Sequence, residues 1–210
     1  MPLIRKPQTG TVASPAIQDV RAALNASSAD ERWSAARQLA GQPGHDALLA
    51  ETLMRESDPR VREALFTALA RDGSEQAVAA ILPFIRSSDA GLRTGALDAL
   101  ATLPQAIAIH IETLLADDDP DVRILSCDLV RHLPTADAAL HLTRLLARET
   151  TVNVCAAAVE VLSEVGDARA LPALHACAAR FADDSFLVFA IELAVRRIGE
   201  TGASAPPAPA

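Results

Sequence analysis

A five-residue phrase returns along this chain at intervals of about 30 residues. It reads Asp58-Pro59-Arg60-Val61-Arg62, then Asp89-Ala90-Gly91-Leu92-Arg93, then Asp119-Pro120-Asp121-Val122-Arg123. Twelve residues beyond the Val or Leu of each copy stand Gly73, Pro104 and Pro134. Two worn copies follow, in which Val154 leads to Gly166 and Leu187 leads to Gly199. One unit of this length cannot bury an apolar face alone, so units repeating at a fixed period must stack on their neighbours.

Within each unit the apolar residues keep helical time. Val61 is followed by Ala64, Ala68 and Leu69; Val122 by Leu125, Leu129, Val130 and Leu133; Val154 by Ala157, Val161, Leu162 and Val165. Leu92 and Leu187 open the same series. Offsets of +3, +7, +8 and +11 trace one stripe along a helix. The anchors 61, 92, 122, 154 and 187 let the period drift between 30 and 33 residues. A degenerate earlier unit starts near Arg32, with Ala35 and Leu39 at matching offsets.

Helical patterns run over 14–26, 29–40, 44–56, 58–71, 74–87, 89–102, 104–116, 119–132, 134–148, 151–165, 168–181 and 184–198. Ser14 and Pro15 have the types expected at the cap and first turn of the first of them. Links of a few residues force successive helices antiparallel. No segment alternates with period two, so no strand is expected. The predicted fold is all-α: a right-handed α-solenoid of about 12 helices in antiparallel pairs. Residues 1–13 are expected to be a flexible segment, 14–200 a single domain, and the Pro/Ala-rich 201–210 a disordered tail.

Composition narrows the function. Half the residues are hydrophobic but only 3% are aromatic, so the core is built from Ala, Leu, Val and Ile. A net charge of −8 and Trp33 as sole tryptophan oppose nucleic-acid binding, which needs basic stripes and stacking rings. No apolar run reaches the length of a membrane span. Cys127, Cys155 and Cys177, odd in number and widely spaced, point to a reducing cytoplasm.

The paired helices resemble HEAT repeats, specifically the bacterial subgroup of the phycobilin lyase family. The resemblance covers about residues 29–199 and rests on Asp-Pro-x-Val-Arg in register and on Gly166-Asp167-Ala168-Arg169-Ala170-Leu171-Pro172. The last two units depart from it, with Cys155 and Val188 where Arg is expected. The resemblance implies a ladder in which Arg62, Arg93 and Arg123 pair with the Asp of a neighbouring unit. It also implies that second helices line a concave face. Asp58, Asp89, Asp119 and Asp184 precede helices and suit capping; with Gly166 and Asp167 they belong to the repeat framework.

No catalytic set emerges. The acidic run at Asp117–Asp121 lacks the Gly and Glu of a calcium loop, having Val122 and Asp128 at those places. His110 and His141 lie one repeat apart without further ligands to complete a metal site. Cys155 and Cys177 fall in the two helices of one unit, but no base accompanies either. The expectation is therefore no cofactor, no metal and no catalytic residue. The candidate partner-binding residues are Arg55, Gln76, His110, Glu112, His141, Arg144, Arg148, His175 and Arg180, all on second helices. Phe84 and Ile109 are candidate apolar contacts there.

The sequence thus predicts a cytoplasmic, non-catalytic scaffold or adaptor that binds a protein on its concave face, with no nucleic acid, no membrane and an undetermined oligomeric state. The alternative is a lyase-like or cofactor-insertion chaperone subunit, as the resemblance implies.

Overall fold

The computed structural model of the 210-residue chain describes residues 17–203, with side-chain surroundings for residues 19–200. The expected N-terminal segment, the Ser14 cap and residues 204–210 lie outside the described residues. The described residues form thirteen α-helices: α1 (Ile17–Leu24), α2 (Ala29–Leu39), α3 (Asp46–Arg55), α4 (Pro59–Asp72), α5 (Glu75–Ile81), α6 (Ala90–Ala101), α7 (Pro104–Ile107), α8 (Ile111–Leu114), α9 (Pro120–Val130), α10 (Thr135–Arg148), α11 (Val152–Val165), α12 (Leu171–Arg180) and α13 (Ser185–Ala203). The helices α7 and α8, joined by a 3-10 turn, share one helical slot, which leaves the twelve slots that the punctuation predicts. No strand occurs among the described residues.

The helices form two rows. First helices α2, α4, α6, α9, α11 and α13 stack in succession, while α3 packs on α5, α5 on α7, and α10 on α12. Four of these six, α4, α6, α9 and α13, open on an aspartate cap. Asp58 accepts from the backbone N–H of Arg60 and Val61, Asp89 from Gly91 and Leu92, Asp119 from Asp121, and Asp184 from Leu187. Pro59 and Pro120 sit at the first helical position, where a missing N–H costs nothing. Gly73 closes α4 at φ +62°, a left-handed conformation that favours glycine.

The buried stripe is rotated slightly from the predicted one. The anchors Val61, Leu92, Val122, Val154 and Leu187 are buried, as are +7 and +8 in almost every unit. At +3, however, Gly95, Leu125, Ala157 and Ala190 are only half-buried. The residues sealed from solvent are those at +4: Leu65, Ala96, Ser126 and Ala158 are 0% exposed and Ile191 1%. Ser126 tolerates this because its hydroxyl donates to the Val122 carbonyl at 2.7 Å.

Second helices are more broken than expected. At Pro83, α5 tightens into a 3-10 turn, Leu82–Arg86, because proline cannot donate to the preceding turn. Turns of the same kind occupy Ala108–His110 and Ala168–Ala170. A larger correction concerns the end of the last helix. It was expected to stop at Gly199 and give way to a disordered tail at 201; instead α13 runs on to Ala203. No left-handed cap forms at Gly199, and a lone glycine without such a cap weakens a helix without ending it.

The repeat arginines fasten the links between units. Arg32, Arg62, Arg93 and Arg123 each donate to the carbonyl six residues earlier, in Ala26, Glu56, Ser87 and Asp117, at 2.7–3.0 Å. Cys155 replaces the arginine in the next unit, and its Sγ lies 4.0 Å from the equivalent carbonyl of Glu149. The expected Arg-to-Asp ladder holds for Arg62, whose Nη1 is 2.8 Å from Asp89 Oδ2. It does not hold for the others. Arg123 pairs with Glu149 and meets the next cap, Thr151, only through its hydroxyl at 3.3 Å. Arg32 pairs with Glu56, and Arg93 makes no ion pair among the described residues.

Candidate functional site

The predicted partner-binding residues separate into a cluster and outliers. Glu112 in α8 and His141, Arg144 and Arg148 in α10 surround a cavity of about 330 Å³, floored by Leu115. Arg144 Nη1 lies 3.4 Å from Glu112 Oε1, and both side chains are exposed, so this pair contributes little to stability. Arg148 reaches the Leu115 carbonyl at 3.5 Å, a weak contact that leaves most of its guanidinium available. Leu140 precedes Arg144 by one helical turn and is 46% exposed. The cleft exists because α8 is a single short turn and packs little against α10. It combines two cations, a half-buried imidazole, one carboxylate and an apolar edge.

The outliers have other surroundings. Arg55 is held by Glu51 at 2.9 Å, in a network that Arg21 joins at 3.4 Å. Arg180 donates to the Leu146 carbonyl at 2.6 Å and lies over the Phe181 ring at 5.2 Å. Gln76 and His175 are exposed and do not line the cavity. His110 does not line the cavity either: it is half-buried, and its Nε2 has no hydrogen-bond partner. Ile109 is 66% exposed, as expected of a contact residue. Phe84 is not; it is buried, with its ring edge-to-face on Phe66 at 5.6 Å. Met54, 78% exposed beside Arg55, is a further apolar contact on a second helix that the sequence reading passed over.

A second hollow lies on the first-helix row. A groove of about 870 Å³ runs between α4 and α6, with Phe66, Ala70, Gly95 and Ala99 among its lining and Glu63, Arg71 and Asp98 at its charged edges. Its depth comes from Gly95. A Cβ there would meet Phe66 Cε2 at 2.5 Å, so only glycine lets the ring lie against the helix. The sequence signal was a glycine at a +3 position that elsewhere carries Ala or Leu.

The thiols are built into the core. Cys127, Cys155 and Cys177 are free and fully buried. Burial pushes the Cys127 thiol up to about 12. The neighbouring Cys155 thiol, together with the nearby Arg180 charge, holds Cys177 below the usual thiol range against the cost of burial. Neither sulfur of this pair is accessible to a substrate. Among the described residues no three of His, Cys, Asp and Glu gather as a metal site, and no helix is long and apolar enough to cross a membrane.

Comparison with known proteins agrees on the repeat. A family model for HEAT repeats matches residues 46–111. No curated protein matches the chain. Solved structures of similar shape include an engineered protein with 18% identity, 87% of this chain and 96% of that chain covered, and a TM-score of 0.41. A designed armadillo repeat protein has 15% identity, coverage of 87% and 100%, and a TM-score of 0.41. Computationally designed armadillo repeat proteins for modular peptide recognition have 16% identity, coverage of 87% and 99%, and a TM-score of 0.42. At TM-scores below 0.5 these likenesses carry no weight for function. Repeat phrase and helix rows define an α-helical repeat protein, of which residues 46–111 are similar to HEAT repeats.

Proposed function

We propose that this chain is a cytoplasmic scaffold or adaptor that binds a protein partner in the second-helix cleft between α8 and α10. The observation that carries this reading is the grouping of Glu112, His141, Arg144 and Arg148 around one cavity, although they come from two units. Only an exposed ion pair at 3.4 Å and a hydrogen bond at 3.5 Å engage these side chains, contacts weak enough to be exchanged for those of a ligand. Two arginines beside exposed Leu140 suit an acidic segment with an apolar residue, since guanidinium recognises carboxylates with directional hydrogen bonds. The test is capture from the native host with wild-type chain and with Arg144→Glu/Arg148→Glu as bait. Recovery of the partner should fall at least tenfold with the double variant, while its melting temperature stays near wild type.

A lyase-like or cofactor-handling role has one observation in its favour. The α4–α6 groove is apolar-floored and large enough for a flat ligand of tetrapyrrole size. Of its two arginines, Arg62 is already engaged by Asp89 and the Glu56 carbonyl, which leaves Arg71 alone to meet a propionate. Titration with haem or a bilin decides: an unchanged absorbance spectrum at micromolar ligand removes this role.

A further inference from the structure

The last first-helix, α13, has its faces exchanged relative to the helices it stacks behind. At −1, +2 and +6 from the anchor, α4 gives solvent Arg60, Glu63 and Thr67; α6 gives Gly91, Thr94 and Asp98. In α9 and α11 the +6 residues are Asp128 and Glu160, both exposed. In α13 these outward positions hold Phe186, Phe189 and Leu193, which are 72%, 57% and 44% exposed. At +5, where the other helices place Phe66, Leu97, Cys127 and Val159 under the following unit, α13 carries exposed Glu192. A polar residue there caps the stack. The apolar stripe is therefore not the socket for another repeat, and it occupies a face that α4 and α6 give wholly to water, while α9 and α11 half-bury Ile124 and Ala156 at +2.

The stripe is complementary to itself. Phe186 and Leu193 lie equally far on either side of the midpoint between Phe189 and Ala190, and so do Asp183 and Arg196. Two α13 helices laid antiparallel across a two-fold axis at that midpoint would set Phe186 against Leu193 of the second copy. They would bring both Phe189 rings to the axis, beside the small Ala190, and face Asp183 with Arg196. Asp183 and Arg196 are exposed and make no ion pair among the described residues. Such an isologous contact forms each of these pairs twice.

We propose that α13 is a homodimerisation surface whose occupant is a second copy of this chain, paired antiparallel through Phe186, Phe189 and Leu193. The exposed parts of these side chains amount to on the order of 400 Å² per copy, about 800 Å² in the pair, which is below the size of permanent interfaces. The dimer is accordingly weak and concentration-dependent. Sedimentation velocity of the full chain from about 5 to about 500 µM tests this, a range that brackets micromolar association. A reversible monomer–dimer equilibrium is expected, and Phe186→Glu or Phe189→Glu should weaken it at least tenfold. Asp183→Arg and Arg196→Asp should each weaken it several-fold, and the two together should restore it, which shows charge pairing even if a phenylalanine variant folds poorly. A monomer throughout the range overturns the proposal, as does a dimer indifferent to Phe186→Glu. So does a dimer that forms only after deletion of residues 204–210, since that would put the chain's own tail on the stripe.

Discussion

Arg123 and Glu149 are joined by two hydrogen bonds, Nε to Oε2 at 2.8 Å and Nη2 to Oε1 at 3.1 Å. The pair spans from the first helix of one unit to the link that leads into the next. Glu149 Oε1 also accepts the backbone N–H groups of Thr150 and Thr151 at 2.9 Å each, which sets the turn into α11. Arg32 and Glu56 repeat the arrangement near the start of the array, with Ser57 and Asp58 as the backbone donors. Two nearly buried carboxylates thus act as staples between consecutive units.

Removing one member of a staple leaves the other charge buried and unpaired. Glu149→Ala should therefore destabilise the protein by about 3 kcal/mol or more, whereas Glu112→Ala, from the exposed pair, should cost less than about 1 kcal/mol. Urea denaturation of the two variants measures the contrast. Equal losses would mean that the staple carries no special weight.

Acid should open the staples. The Arg32 hydrogen bond holds the Glu56 carboxyl at about 2, below its ordinary 4.5, and Glu149 is also lowered, its Arg123 and backbone hydrogen bonds outweighing the burial that raises it. A carboxylate held below its unfolded value adds stability that is complete above that value. The stability drains away as pH falls from about 4.5 toward about 2 for Glu56. Thermal melts at about pH 6 and about pH 3 should show a loss that Glu56→Gln reduces, since the variant has no proton to gain there. An identical pH dependence in Glu56→Gln would refute the assignment.

Gly95 and Phe66 should behave as a coupled pair. Alanine in a helix gains up to about 1 kcal/mol over glycine, but overpacking costs about 1–3 kcal/mol. With the ring only 2.5 Å from the added Cβ, overpacking wins, and Gly95→Ala should destabilise. In a Phe66→Leu background the same change should turn neutral or favourable. Additive effects in the double-mutant cycle would contradict the contact.

Ser126→Ala should be tolerated. The hydroxyl returns a hydrogen bond to a carbonyl of its own helix, a bond the helix does not need, and alanine fits the space. The expected change in stability is between zero and about 1 kcal/mol in favour of alanine. A large loss on calorimetric melting would show that Ser126 has a partner beyond Val122.

Most of the fold could be read from short-range chemistry. Asp58, Asp89 and Asp119 cap helices through atoms two or three residues away, so their roles are written locally. The apolar anchors and their +7 and +8 partners followed from periodicity alone. The +4 position escaped that reading because it includes Ser126, which an apolar search skips, and Ala96 and Ala158, which signal weakly. Glu56 and Glu149 escaped because their partners lie 24 and 26 residues away, a distance set by the stacking and by no local motif. The cluster at Glu112, His141, Arg144 and Arg148 was half legible. The residue types were there to be seen, but their separation from Gln76 and His175 depends on where the stack opens beside α8. Phe84 looked like a contact residue until Phe66 was placed against it. The stripe on α13 was missed because Phe186 and Phe189 sit at positions where the repeat demands nothing.

The central claim is that the partner occupies the second-helix cleft. Hydrogen–deuterium exchange of the chain with and without its captured partner tests it most directly. The account predicts slowed exchange in α8 and α10, over Ile111–Leu114 and Thr135–Arg148, with α4 and α6 unchanged. Protection confined to α4 and α6, with α8 and α10 exchanging as in the free chain, would contradict it.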